Sequence, residues 1–409
     1  MGLAQSLPRR QEYPRFFRDN IGRNLTYVLE QFSSDEWIVV SREQRQQVSH
    51  ILTYALRLPE LWPQTRDLIV ILAEPMERAG QREGWASKID AAIEQSALYG
   101  DHAARSDLLY YRGVLHARQG NDQEGHRLLE SALHALDQTS DDPSRRQRIL
   151  SRLAFTVRRH DRGAAAEWIR RAQAVEGSNL EERAYTELVL GTLALERLEP
   201  AKAVEHYARG LELARAAQNP HLIGWLIVNL AVGYRSDKRP DEAIETYLRA
   251  IEHFTDFEDP LALANARQNL GAVYHDVGKY ERAIAQLNAG ESVYRRIGDT
   301  LQLARATLAL ANVSQALEQH EQAEAYYEES TLLATQAGSP ATLIWALCGR
   351  AHSNAALGRV DRAQGYLRQA EESLRTLEGE PVYPRLDAEI RKVRRGIDGA
   401  GDGGAPEAH

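Results

Sequence analysis

The sequence predicts an all-α fold, a right-handed α-solenoid or superhelix of about eight helical hairpins with capping helices at its N- and C-terminal ends. Three observations carry this. Small residues recur every 40 positions through the C-terminal half, bulky residues recur beside them in the same register, and residues suited to helix starts repeat with that period too. Packing and capping are separate physical demands, so their agreement on one period outweighs hydrophobicity alone.

From the N-terminus, residues 1–60 stand outside the repeat. Two helical stretches are expected, near Pro14–Gln31 and Arg42–Leu58, joined by SSDEWIVV. They read as an N-terminal cap or as a docking element, since an open array must cover its end. Arg9, Arg10, Arg15, Arg18 and Arg23 make the first part basic, which reads as a solvated helix face. Met1, Gly2 and Ser6 fit a loose acylation pattern without a polybasic second anchor, and the match is read as chance.

The solenoid is placed at residues 61–378. Ala73, Trp85, Ile89 and Ala92 recur 40 positions later as Gly113, Gly125, Leu129 and Ala132, and a less regular unit follows on Ala154, Ala165, Ile169 and Ala172. The period then runs cleanly. Gly191, Ala231, Gly271, Ala311 and Ala351 form one small column, and Ala203, Ala243, Ala283, Ala323 and Ala363 form a second. Tyr207, Tyr247, Leu287, Tyr327 and Leu367 supply bulk, and Gly210, Ala250, Gly290, Ser330 and Ala370 are small again. Helices approach closely only at small side chains, so these columns mark where the first helix of each hairpin crosses the second.

Helix starts follow the same spacing. Asn179, Asn219, Asp259, Asp299 and Ser339 are placed as N-caps of first helices, with Pro220, Pro260 and Pro340 at first helical positions. Asp241, Glu281, Glu321 and Asp361 open second helices with negative charge at the positive dipole end. Residues 379–396 read as a charged amphipathic capping helix and the glycine-rich residues 397–409 as a disordered tail.

The stretch QNLGAVYHDVGKYERAIAQL at 268–287 resembles a tetratricopeptide repeat, with Leu270, Gly271, Tyr274, Gly278, Tyr280 and Ala283 matching the signature. In length the unit resembles the long repeats of kinesin light chain and of sensor regions in bacterial signal-transduction ATPases.

Composition narrows the function. Hydrophobic residues at 43% and charged residues at 26% suit a folded chain, and 50 Lys plus Arg against 58 Asp plus Glu give a net charge of −8. That balance lacks the basic footprint of a nucleic-acid binder. No stretch approaches the roughly 20 apolar residues of a membrane span, and no secretory leader is read at the start, so a cytoplasmic location is expected. The lone Cys348 fits a reducing compartment, and a positive charge carried almost wholly by arginine suggests a GC-rich bacterial genome. No phosphate loop, dinucleotide fingerprint, zinc helix or nucleophile elbow occurs, and the 13 histidines lack metal-ligand spacing. No enzyme activity, cofactor or metal is expected. The oligomeric state is not readable.

In a stack of such hairpins the first helices line the concave wall, so candidate partner-binding residues are read from their free columns: Tyr185, Trp225, Asn229, Arg235, Gln268, Asn269, His275, Arg305, Asn312, Trp345 and His352. An asparagine amide offers donor and acceptor together and can pair with an extended backbone. The resemblance to long-repeat proteins implies that role for Asn229 and Asn269, and extends it to Asn312. The same amides can instead bond neighbouring helices. Trp225 and Trp345 are aromatic anchors or interhelix packing. The lysine–asparagine carboxylate clamp of a chaperone-tail subclass is not reproduced, because no lysine lies on this wall. The expected partner is another protein or a peptide, with no nucleic acid and no membrane. The expected function is a non-catalytic scaffold or adaptor. The alternative is a peptide- or ligand-sensing regulator, like peptide-pheromone receptors of this repeat class or the detached sensor of a signalling ATPase.

Overall fold

A computed structural model describes residues 13–33, 40–78, 82–139, 142–257, 259–380 and 382–401, which form nineteen α-helices and no β-strand among the described residues. The acylation pattern at Met1, Gly2 and Ser6, the residues Arg9 and Arg10, most of the segment SSDEWIVV and the tail from 402 lie outside the described residues. Two compact units divide the chain, Met1–Glu182 and Arg183–His409.

Unit 1 holds α1 (Tyr13–Ser33), α2 (Arg42–Ala55), α3 (Trp62–Arg78), α4 (Arg82–Leu98), α5 (His102–Arg118), α6 (Asp122–Leu136), α7 (Pro143–Val157) and α8 (Arg162–Gln173). The second helix starts in a reciprocal cap: Gln44 N–H donates to Ser41 Oγ at 3.2 Å and Ser41 N–H donates to Gln44 Oε1 at 2.9 Å. Leu25 and Val28 of α1 and Val48 and Leu52 of α2 share one core with Leu68, Leu72, Trp85 and Ile89 of α3 and α4. The crossing of α5 and α6 needs glycine on both sides. A Cβ on Gly113 would lie 3.0 Å from the Gly125 carbonyl oxygen, and one on Gly125 would lie 2.9 Å from that of Gly113.

Unit 2 begins within α9 (Leu180–Glu196) and continues through α10 (Pro200–Ala216), α11 (Pro220–Ser236), α12 (Pro240–Asp256), α13 (Pro260–Asp276), α14 (Tyr280–Ile297), α15 (Thr300–Ala316), α16 (His320–Gln336), α17 (Pro340–Ala356), α18 (Val360–Arg375) and α19 (Tyr383–Gly401). Eight hairpins thus lie between Trp62 and Arg375, and each unit is a stretch of the all-α solenoid that the 40-residue period predicts.

The small columns stand at the crossings. Ala231, Ala311 and Ala351 and all five alanines of the second column are fully buried, as is Tyr207. A Cβ on Gly191 would sit 2.5 Å from Tyr207 Cε1, and one on Gly271 would sit 2.7 Å from Leu287 Cγ, so the large residue occupies the volume that the glycine vacates. First helices are capped as expected at Asn179, Asn219, Asp259 and Asp299, whose side chains accept from Glu182, Leu222, Ala262 and Gln302 N–H at 2.9, 2.9, 3.0 and 3.1 Å. Ser339 departs from this. Its hydroxyl pairs with Thr342 Oγ1 at 2.9 Å and makes no cap bond, because the buried Thr342 hydroxyl at the third helical position takes it as partner.

Inside each hairpin of unit 2 one turn residue has a positive φ: Leu198 at 60°, Lys238 at 58°, Gly278 at 73°, Glu318 at 60° and Gly358 at 74°. The following residue offers no side-chain cap, and on α12, α14, α16 and α18 a first-turn acid answers the exposed N–H groups instead. At the C-terminal end α19 runs to Gly401, beyond the expected end at 396. Leu386, Ile390, Val393 and Ile397 form one apolar stripe at helical spacing and bury against Leu347, Leu367 and Ala370.

Candidate functional site

First helices of unit 2 touch their successors, α11 with α13, α13 with α15 and α15 with α17, whereas no successive second helices among the described residues make comparable contact. Along each first helix a strip at i, i+4, i+7 spacing stays open or half-buried: Trp225, Asn229 and Val232; Asn265, Asn269 and Ala272; Arg305, Ala309 and Asn312; Trp345, Gly349 and His352.

The two key asparagines turn back on their own helices. Asn229 Nδ2 donates to the Trp225 carbonyl at 2.8 Å and Asn269 Nδ2 donates to Asn265 Oδ1 at 2.9 Å. Neither bonds a neighbouring helix among the described residues. Gln268 leaves its Oε1 buried without a hydrogen-bond partner, an uncommon state for a buried amide oxygen.

Charge on the strip is partly answered from within. Arg235 on α11 reaches Asp276 on α13, with Nε and Nη2 each 2.7 Å from Oδ2, and His275 Nδ1 lies 3.5 Å from the other carboxylate oxygen. Asn312 faces the buried Tyr327, whose hydroxyl lies 2.7 Å from Asn312 Oδ1 and 2.9 Å from Gln315 Oε1. One O–H can serve only one of them at a time. Arg305 is exposed.

At the C-terminal end of the strip, the Arg385 guanidinium of α19 stacks 5.4 Å from the Trp345 ring centre, an arrangement that a cation and an aromatic face favour. His352 is held below the ordinary histidine range by desolvation, with His320 and Lys392 adding like charge. Burial, with Glu389 nearby, pushes the Cys348 thiol up to about 12, and the residue is 2% exposed, which makes it an inert filler. Tyr185 is 8% exposed and so drops out of the open strip on which the sequence placed it.

The structure therefore gathers Arg235, His275 and Asp276 into one group and Asn312, Gln315 and Tyr327 into another, spaces Trp225, Asn229, Asn269, Arg305, Trp345 and His352 along the strip, and sets the half-buried Gln268 next to Asn269 in the neighbouring column. Asp276 and Arg385 were missed. Asp276 follows Arg235 by 41 positions, one step off the period that the columns track, and Arg385 belongs to a helix outside the repeat. Among the described residues no group of three or more His, Cys, Asp or Glu side chains could hold a metal, and no helix is long and apolar enough to cross a membrane.

Comparison with known proteins agrees with this geometry. Tetratricopeptide-repeat family models match residues 222–296 and 304–336. No curated protein matches the chain. Among solved structures it is similar to a signal-transduction ATPase with numerous domains and a tetratricopeptide-repeat sensor from Pyrococcus horikoshii, at 14% identity and a TM-score of 0.57, covering 86% of this chain and 55% of that one. It is also similar to aspartyl phosphate phosphatase F from Bacillus subtilis, at 14% identity and a TM-score of 0.52, covering 91% of this chain and 96% of that one. A third likeness is to NprR solved in complex with its cognate peptide NprX, at 14% identity and a TM-score of 0.51, covering 71% and 84%. At such identities the likeness is one of fold. Small-residue crossings at a fixed period, paired helices in each unit and two matching family models together show tetratricopeptide repeats in this chain, matched over residues 222–296 and 304–336.

Proposed function

We propose that the chain is a non-catalytic, cytoplasmic scaffold whose unit 2 first-helix strip binds an extended protein segment or peptide, without nucleic acid or membrane as partner. The observation that carries this reading is the run of carboxamides at Asn229, Gln268, Asn269 and Asn312 on three successive first helices, with the Gln268 oxygen buried and unpaired. Carboxamides suit the alternating donors and acceptors of a backbone rather than a charged head group. Trp225 and Trp345 flank the amides as aromatic anchors, and Arg235, His275, Arg305 and His352 make a polar rim. NprR, a protein of this fold solved with a peptide, supports the reading. In this reading α1, α2 and α19 cap the array.

A peptide-sensing regulator is the second reading, favoured by the Arg235–Asp276 pair that ties α11 to α13 beside the strip. An occupant that draws either side chain to itself changes what holds two hairpins together, which is the differential contact a switch needs.

Affinity capture from the native host with the full chain and with the Asn229→Ala/Asn269→Ala variant tests the proposal. Wild type is expected to retain one stoichiometric protein or peptide, and a variant of unchanged circular dichroism is expected to hold it about ten-fold more weakly. Equal retention by both chains would move the site off this strip.

A further inference from the structure

Between α15 and α17 the strip is shaped from behind by a second-helix side chain. Tyr327 of α16 is 1% exposed, and its hydroxyl lies 2.7 Å from Asn312 Oδ1 and 2.9 Å from Gln315 Oε1. In the hairpin of α9 and α10 the equivalent Tyr207 fills the volume opposite Gly191 of its own partner helix. Ala311 stands in place of that glycine in the hairpin of Tyr327, and the ring lies instead where a Cβ on Gly349 of α17 would overlap it. Gly349 also leaves α17 without a side chain at the strip position that Asn229, Asn269 and Ala309 hold on the other first helices.

A phenol has one proton to give and lone pairs to receive. Burial, with Glu389 and Cys348 nearby, holds that proton well above the usual tyrosine range. The hydroxyl cannot donate to two amide oxygens at once, so both bonds are made only when it donates to one carboxamide and accepts an N–H from the other. Asn312 and Gln315, one turn apart on α15, are thereby set in opposite senses. Asn312 is exposed and Gln315 half-buried, so both side chains keep surface toward solvent. Whichever amide takes the proton, the pair then has one N–H donor and one oxygen acceptor left for a partner. An extended residue offers one N–H and one C=O on the same side, as the residues of an antiparallel pair do when they exchange two bonds. A carboxylate or phosphate brings acceptors alone, and proline brings no N–H.

We propose that Tyr327 is a positioning residue of the strip: it sets Asn312 and Gln315 in opposite senses, and the two amides together grip the main chain of one non-proline residue of the bound segment. This rests on the strip being the peptide site proposed above, and adds to it a station that reads backbone rather than side chain. The bare Gly349 gives that main chain room to approach.

The probe is a peptide enriched from a random displayed library on the full chain. It is resynthesised as a series in which each backbone amide in turn becomes an ester, which removes one N–H and keeps the carbonyl. Affinities are measured by fluorescence anisotropy on wild type, Tyr327→Phe and Gln315→Ala. In wild type at least one ester is expected to cost about ten-fold, and in both variants that same ester should cost less than about three-fold while esters elsewhere keep their cost. Gln315→Ala, at a half-buried position, carries the test if Tyr327→Phe fails to fold. Loosened packing alone would weaken the whole series alike. Such a uniform loss overturns the proposal, as does a series with equal costs in wild type and variants, or a wild-type series in which no ester matters. If those peptides still need Asn229 and Asn269, the strip reading outlives that result; a library that yields no peptide overturns both.

Discussion

Both units are built from the same kind of hairpin, yet they bury different things. In unit 2 the crossings are filled by alanine, glycine and one tyrosine or leucine, and its buried polar side chains are hydroxyls such as Thr246, Thr307, Ser330 and Ser353, plus Asn354. In unit 1 charge goes inside: Asp107, Arg152 and Arg158 are 6%, 8% and 6% exposed. Arg148 donates to Asp107 Oδ1 at 2.9 Å, Arg145 lies 3.1 Å from Oδ2, and the Arg148 guanidinium stacks 4.7 Å from the Tyr110 ring. Steric fit fixes the geometry of unit 2 at little electrostatic cost. Unit 1 gives up the clean period and holds its helices with ions that must recover their lost hydration from one another.

The strongest way to break this contrast is Asp107→Ala, which leaves Arg145 and Arg148 facing a gap. It should lower the stability of unit 1 by about 3 kcal/mol in chemical denaturation followed by tryptophan fluorescence, and a loss below about 1 kcal/mol would mean that the ion network holds little. The steric counterpart in unit 2 is Gly191→Val. Its branched side chain must displace the Tyr207 ring, so a loss of about 2 kcal/mol is expected in thermal unfolding, and an unchanged midpoint would remove the small-residue crossing as the basis of unit 2.

A third test separates the units by pH. Burial, against the pull of Arg148, raises the Glu182 carboxyl from 4.5 to about 7. The folded state thus binds a proton that the unfolded state releases, and stability present below pH 4.5 is lost as pH rises to about 7. Glu182→Gln should flatten that slope, by about 2 kcal/mol or less, and a slope unchanged in the variant would assign it to other groups. The smallest effect sharpens the account of unit 2: Leu198, Lys238 and Glu318 occupy a left-handed turn position that Gly278 and Gly358 fill without strain. Leu198→Gly, Lys238→Gly and Glu318→Gly should each stabilise by about 0.5–1 kcal/mol, while Gly278→Ala should destabilise, read as shifts in melting temperature.

Where sterics decides, the sequence was legible. A residue without a side chain must face one with bulk, so Gly191 against Tyr207 and Gly271 against Leu287 follow from spacing alone, and the caps at Asn219, Asp259 and Asp299 follow from chain chemistry. Rotor choice was not legible: Ser339 had two local partners and took Thr342. Nor were contacts off the period, such as Arg235 with Asp276, because a 40-residue repeat relates positions 40 apart and carries no signal for partners at other separations. The ions around Asp107 were hidden for the same reason, since arginine and aspartate on a helix read as solvated until their neighbours are known.

The most direct test of the central claim, that the open strip of first helices in unit 2 receives an extended segment, is selection of a random displayed peptide library on the full chain. The enriched peptides are then measured by fluorescence anisotropy against wild type and against the folded Asn229→Ala/Asn269→Ala variant. The account predicts peptides that compete with one another for a single site and lose about ten-fold or more in affinity for the variant. Selection that enriches no peptide, or peptides that bind both chains equally well, would contradict it.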